Sequence, residues 1–166
     1  MVGHLTADET RGAILSPCGF YRYRLWRRWD RSRPAIAFCM LNPSTADARR
    51  DDPTIRRCIG FARDWGYGGI EVVNIFALRA TDPRALRSAR DPVGPRNDAF
   101  MLRAAARSPV VIAWGVHGAL RDRGATALRL LGPRTRLLAL GRTRSGAPRH
   151  PLYLRREAEA VEYAPA

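Results

Sequence analysis

The chain has 166 residues, near the usual size of one domain and enough to bury most of its apolar surface without disulfides or a structural metal. Its three cysteines are odd in number and show no paired Cys-x-x-Cys spacing, which argues against a zinc or iron–sulfur framework and predicts reduced thiols. A net charge of +14 and a pI near 11.3 point to a polyanionic partner, nucleic acid first, although all 29 basic residues are arginine and GC-rich coding produces the same bias.

At the amino end, Met1 to Thr10 holds no apolar core of signal-peptide length, and no later run approaches ~18 apolar residues. The expectation is a cytoplasmic protein with no membrane partner. The stretch Ala13 to Trp29 contains two short runs around Ser16-Pro17-Cys18-Gly19, the second alternating apolar residues with arginine, and predicts an antiparallel hairpin with one solvated face. Pro34 to Leu41 is a continuous apolar run ending at Asn42-Pro43-Ser44-Thr45, the profile of a strand buried on both faces. Asp52-Pro53 then opens a helix with Ile55, Cys58, Ile59, Ala62 and Trp65 on its inner side, and Gly66-Tyr67-Gly68-Gly69 stops it.

The pattern recurs with a strand from Ile70 to Phe76, a helix from Gly94 to Ala106, a strand from Pro109 to Trp114, a helix from Gly118 to Leu131 and a strand from Arg136 to Leu140. Alternation of this kind predicts an α/β fold with three α/β/α layers: a central, mainly parallel sheet of about four strands, preceded by the hairpin. One domain over 1–166 is expected, with the hairpin at about 13–29, the α/β core at about 34–154 and a polar, alanine-rich tail at about 157–166 that frays after about Glu162. Ligands of such sheets bind outside the carboxyl ends of the strands, here Asn42 to Asp47, Asn74 to Asp82, Trp114 to Gly118 and Gly141 to Tyr153.

Four stations at those ends carry candidate chemistry. Met40 to Asp47 offers the Asn42 amide, the Ser44 and Thr45 hydroxyls and free backbone N–H groups, though Asn, Pro, Ser and Asp also build ordinary turns. Asp47, Asp51 and Asp52 read as caps for the following helix. Asn74 interrupts an otherwise apolar strand, so its amide either ties two loops together or reads a ligand. Arg79 is a candidate phosphate ligand or the ion-pair partner of Asp82. His117, in Trp114-Gly115-Val116-His117, reads as a solvated loop histidine. His150 stands between Pro148 and Pro151 among arginines that include Arg149 and Arg155, so its backbone is restrained on a basic loop. Trp26, Trp29 and Trp65 read as packing residues. Phosphate-loop, dinucleotide, nucleophile-elbow and zincin motifs are absent.

In this order, the segments Phe38-Cys-Met-Leu-Asn-Pro43, Val73-Asn-Ile-Phe-Ala-Leu-Arg79, Trp114-Gly115 and His150-Pro-Leu-Tyr-Leu154 resemble the strand-end motifs of the uracil-DNA glycosylase superfamily. Closer still, Leu41 to Asp47, Asp51 to Cys58, Arg79 to Pro83 and His150 to Leu154 resemble a bacterial family known only as a domain of unknown function. The wider resemblance implies a DNA-directed N-glycosylase that needs no cofactor or metal. Asn42 would position the water that attacks the sugar C1′, and His150 would donate to the base oxygen that gathers charge. Asn74, with Pro43 and Ser44, would hold the extruded base, while Arg79, Arg149, Leu152, Tyr153 and Arg155 would contact the nucleic acid, Leu152 and Tyr153 as a wedge. Leu41 and Leu152 stand where that superfamily carries glycine and serine. Two other readings therefore remain: a nucleic-acid-binding module without catalysis, and an enzyme acting on a free nucleoside or nucleotide.

Overall fold

Residues 10–164 are described by a computed structural model. β1 (Thr10–Leu15) and β2 (Arg22–Arg28) form the hairpin, β3 (Ala35–Met40) and β4 (Gly69–Asn74) flank α1 (Pro53–Asp64), and α2 (Arg84–Ser88) and α3 (Asn97–Arg107) lead to β5 (Val110–Ile112). A 3-10 segment (Val116–Asp122) runs into α4 (Arg123–Leu131), followed by β6 (Leu137–Ala139), a 3-10 turn (Pro151–Tyr153) and β7 (Val161–Glu162).

The protein is α/β, as the alternation implies, but its sheet is mixed and has seven strands in the order β1-β2-β4-β3-β5-β6-β7, not about four. β4, β3, β5 and β6 pair in parallel, and two additions account for the difference. The hairpin does not stand apart: β2 pairs antiparallel with β4, Leu25 opposite Val72, because the edge of β4 leaves its backbone groups open. At the other edge the polar C-terminal tail supplies β7, antiparallel to β6, and the Tyr163 N–H donates to the Leu137 carbonyl at 2.9 Å.

β3 lies between β4 and β5 with every residue after Ala35 buried, which is why it reads as an unbroken apolar run. Ile36, Phe38 and Met40 meet Ile55, Cys58 and Phe61 of α1 on one face of the sheet, whereas Ala37, Cys39 and Val73 meet Met101 and Ala104 of α3 and Ala127 of α4 on the other. The chain thus leaves β3 toward one face and β5 toward the other. Their loops diverge, and the crevice between them is the topological switch point of the sheet.

The alternation expected of the hairpin is kept, with Arg24, Trp26 and Arg28 half-buried between the buried Tyr23, Leu25 and Arg27, but arginine does not keep to the open face. Arg22 and Arg27 are buried, at 2 % and 5 % exposure. A register shift at Ile14/Leu15 leaves an extra residue in β2, so that Arg22 and Arg27, five apart, both reach the loop after β3. On the opposite face the buried Glu71 carboxylate binds both Arg24, at 2.9 Å, and Arg107.

Candidate functional site at the strand ends

A cleft of about 570 Å³ opens at the switch point, within the range of roughly 300–1,000 Å³ typical of small-molecule sites. Its walls come from the loops after β3, β4, β5 and β6, with Asn42 and Ser44 from the first, Thr81 and Pro83 from the second, Trp114 and His117 from the third, and Arg149 and His150 from the fourth. Leu152 and Tyr153 close one rim, Tyr153 with 90 % of its surface exposed.

Asn42 is held by its amide nitrogen. Nδ2 donates to the carbonyls of Ala80 at 2.8 Å and Pro43 at 3.0 Å, with Leu78 O at 3.5 Å. Three carbonyls around one end of the amide settle which end is nitrogen. Both hydrogens are engaged, so Oδ1 is left as the group available to a ligand, an acceptor that can orient a water or a hydroxyl.

His150 joins the same cleft from the loop after β6. It caps the 3-10 turn, its Nδ1 accepting from the Leu152 N–H at 3.2 Å, while Pro151 begins the turn. Its strap is tied down on both sides: Gly115 N–H donates to Pro148 O at 2.8 Å and Arg149 N–H to Gly141 O at 3.0 Å. A ring that accepts at Nδ1 and is neutral carries its proton on Nε2. Burial lowers the His150 pKa from 6.5 and outweighs the opposing field of Asp52, so the neutral, Nε2–H donor form is favoured at neutral pH. An acceptor amide oxygen and a neutral imidazole donor thus share one cleft.

The other expected residues distribute unevenly. Ser44, Arg149, Leu152 and Tyr153 line the cleft with Asn42 and His150. Pro43 is buried and Arg155 is exposed, and neither lines the cleft. Asn74 is 2 % exposed and does not line it either. Its Oδ1 accepts from Arg22 Nη2 at 3.4 Å, which ties the end of β4 to the start of β2. Arg79 donates to Gly19 O at 3.3 Å in the hairpin turn, and Asp82 pairs with Arg84 instead, at 2.8 Å. Of the three aspartates read as caps, Asp52 accepts from the Ile55 N–H at 2.8 Å, Asp47 accepts from the N–H groups of Arg49 and Arg50 within its own loop, and Asp51 pairs with Arg27.

Several positions that build the cleft are invisible to residue-by-residue reading. Arg22 donates to Ala46 O at 3.0 Å, and Arg27 donates to Asp47 O at 2.6 Å and Arg50 O at 3.2 Å, so two hairpin guanidiniums brace the Asn42 loop from behind. Burial pulls the Arg22 pKa down to about 10. Thr54, Thr81 and Thr143 add hydroxyl-bearing walls, and Thr81 could have been found from its place just beyond β4. Trp114 lies against Gly118 and Gly124; a Cβ at Gly118 would come within 2.2 Å of Trp114 Cδ1, so glycine lets the chain turn back over the indole.

Of the three free cysteines, Cys39 and Cys58 are buried, and burial pushes the Cys39 thiol up to about 12. Among the described residues no helix is long and apolar enough to cross a membrane, and no group of three or more His, Cys, Asp or Glu side chains is placed to hold a metal.

Fold and cleft together define an α/β protein with a strand-end cleft at the switch point of a mixed sheet. The chain belongs to the family described as Protein of unknown function (DUF1643), whose signature matches residues 22–152. No curated protein and no solved structure matches it.

Proposed function

We propose that this protein is a glycosylase-like hydrolase that takes an extruded base of nucleic acid, DNA first, into the strand-end cleft and cleaves its N-glycosidic bond, on a fold akin to the uracil-DNA glycosylases. The observation that carries this reading is that Asn42 and His150, 108 positions apart in the chain, line one cleft with complementary hydrogen-bonding ends. In the reaction, a water held by Asn42 Oδ1 adds to C1′ as the bond to the base breaks, and the bonding electron pair leaves with the base. His150 Nε2–H donates to the base oxygen on which that charge collects, and the water proton passes to solvent. A donor aimed where charge develops is worth most in the transition state, and removing one costs about 10²–10³ in rate. Leu152 and the exposed Tyr153 stand on the rim as the wedge that takes the base's place in the stack, with Arg149 and Arg155 toward phosphate.

Asn74 then acts from behind, through Arg22, to hold the loop that carries Asn42. The burial of Asn74 also favours a second reading, a binding module that accepts a base without reading its edge. One assay separates the two. Duplex and single-stranded oligonucleotides bearing uracil, mismatches or modified bases are incubated with the protein and scored for abasic sites. Product that disappears in Asn42→Ala and His150→Ala supports the hydrolase, whereas salt-sensitive binding without product leaves the module.

A further inference from the structure

Beside the main cleft lies a second groove of about 370 Å³, lined by Pro83, Arg84 and Arg87 on one side and by Val116, Ala119 and Leu120 on the other. The two concavities share Pro83, Val116 and His117, so they are continuous across a single rim. Three features mark the groove as more than a surface dip. Val116 is 53 % exposed, and it and Tyr153 are two of the four large apolar side chains left exposed among the described residues; both border the cleft. Arg84 is paired with Asp82, but Arg87 is exposed and makes no hydrogen bond or ion pair within the described residues, leaving one uncommitted guanidinium at the groove. The walls are also held at a set spacing. Arg121, at the end of the 3-10 segment, donates from Nη2 to Ala89 O at 2.7 Å and from Nη1 to Arg90 O at 3.4 Å, tying that segment to the end of α2. Arg121 and Asp122 adopt φ of 53° and 56°, in the left-handed region that non-glycine residues rarely occupy. An apolar wall of Pro83, Val116 and Leu120 beside a free cation suits a ligand that is flat and apolar at one end and anionic at the other.

We infer that cleft and groove form one site for two adjacent nucleotides: the reacting nucleoside enters the cleft, and its neighbour lays its base on Pro83, Val116 and Leu120 with its phosphate at Arg87. This rests on the nucleic-acid reading of the cleft but not on hydrolysis. The substrate is accordingly an oligonucleotide strand, not a free nucleoside, because a lone nucleoside leaves the groove empty. Affinities for a deoxymononucleotide 5′-phosphate, the matching deoxydinucleotide and a short single-stranded oligodeoxynucleotide test it by calorimetry. The dinucleotide is expected to bind about tenfold more tightly than the mononucleotide, the worth of one held base. Val116→Asp and Arg87→Glu should each remove most of that gain, and Arg87→Glu, which lies outside the cleft, should leave the mononucleotide unaffected. Arg31→Glu, an exposed site at the opposite end of the sheet, should change neither. Both test residues are exposed, and circular dichroism of each variant separates lost binding from lost fold. Equal affinity for mono- and dinucleotide, or a dinucleotide gain untouched by Val116→Asp and Arg87→Glu, overturns the inference while leaving any abasic-site activity standing. A gain lost in those variants without abasic product from the wild-type protein retains the two-nucleotide site and removes the hydrolase. Absence of binding to all three probes overturns both.

Discussion

His150 and Arg22 show how a single side chain is set by what surrounds it. Burial favours the neutral His150 ring by penalising its charged form, and the Leu152 N–H donates to its unprotonated Nδ1. A depressed histidine pKa means that the folded state binds a proton less readily than the unfolded one. The associated stability is present above the ordinary value of 6.5 and is lost as pH falls through the lowered folded-state value. Protonation of Nδ1 displaces the Leu152 N–H that orients the ring, so activity that needs the oriented Nε2–H should keep a plateau through neutral pH and fall on the acid side, below 6.5. In His150→Gln that acid limb should vanish from the pH–rate profile, and a limb that persists would assign the titration to another group. Arg22 is the opposite case, a charge kept buried by the carbonyl of Ala46 and the amide oxygen of Asn74. Replacing it with methionine leaves both acceptors without their donor. Urea unfolding of Arg22→Met should show a loss of about 1–3 kcal/mol, together with a drop in any activity that depends on the Asn42 loop.

At the scale of elements, the cleft is only as firm as the ends of α1 and of the 3-10 segment. Asp52 holds the first turn of α1 through the Ile55 N–H, and Thr54, in that same turn, is a wall of the cleft. Asp52→Ala should cost about 1 kcal/mol in thermal or chemical unfolding, the usual worth of a side-chain N-cap. Glycine substitutions give a paired test of packing. Gly60 sits inside α1 with nothing within 4 Å of an added Cβ, so Gly60→Ala should raise stability by up to about 1 kcal/mol through helix propensity. Gly118→Ala drives a methyl against the Trp114 indole and should lower stability by about 1–3 kcal/mol. Because Trp114 lines the cleft, that variant should also lose ligand affinity, whereas Gly60→Ala should not.

For the whole molecule, the question is how much of the +14 charge is free to meet a polyanion. Arg22, Arg27 and Arg123 are buried on carbonyls and carboxylates, and Arg24 and Arg107 are committed to Glu71. Near the cleft and groove, Arg84, Arg87, Arg149 and Arg155 are exposed. Four phosphate contacts on a single strand would give log Kd a salt dependence with slope of about 3. Measured by fluorescence anisotropy over a salt series, a slope near zero would show that the charge excess serves the interior and not a nucleic acid. A slope several times larger would show that binding recruits the far faces of the protein.

The alternation of buried strands and amphipathic helices, the Asp52 cap and the strand-end position of Asn42 and His150 were legible in the sequence. Each depends on local periodicity, or on the rule that parallel strands present their carboxyl ends to one side. Local pattern does not carry the direction of a side chain that is set by a distant partner. The arginines of β2 alternate as a solvated strand would, yet one extra residue in the hairpin turns Arg22 and Arg27 inward, where they hold the loop after β3. Asn74 and Asn42 look alike as strand-end amides; the carbonyls of Pro43 and Ala80 turn one toward the cleft, and Arg22 covers the other. The pairing of β7 with β6 and the groove at Arg87 arise in the same way. Edges and walls exist only after elements far apart in the chain have packed, so tertiary structure alone could decide them.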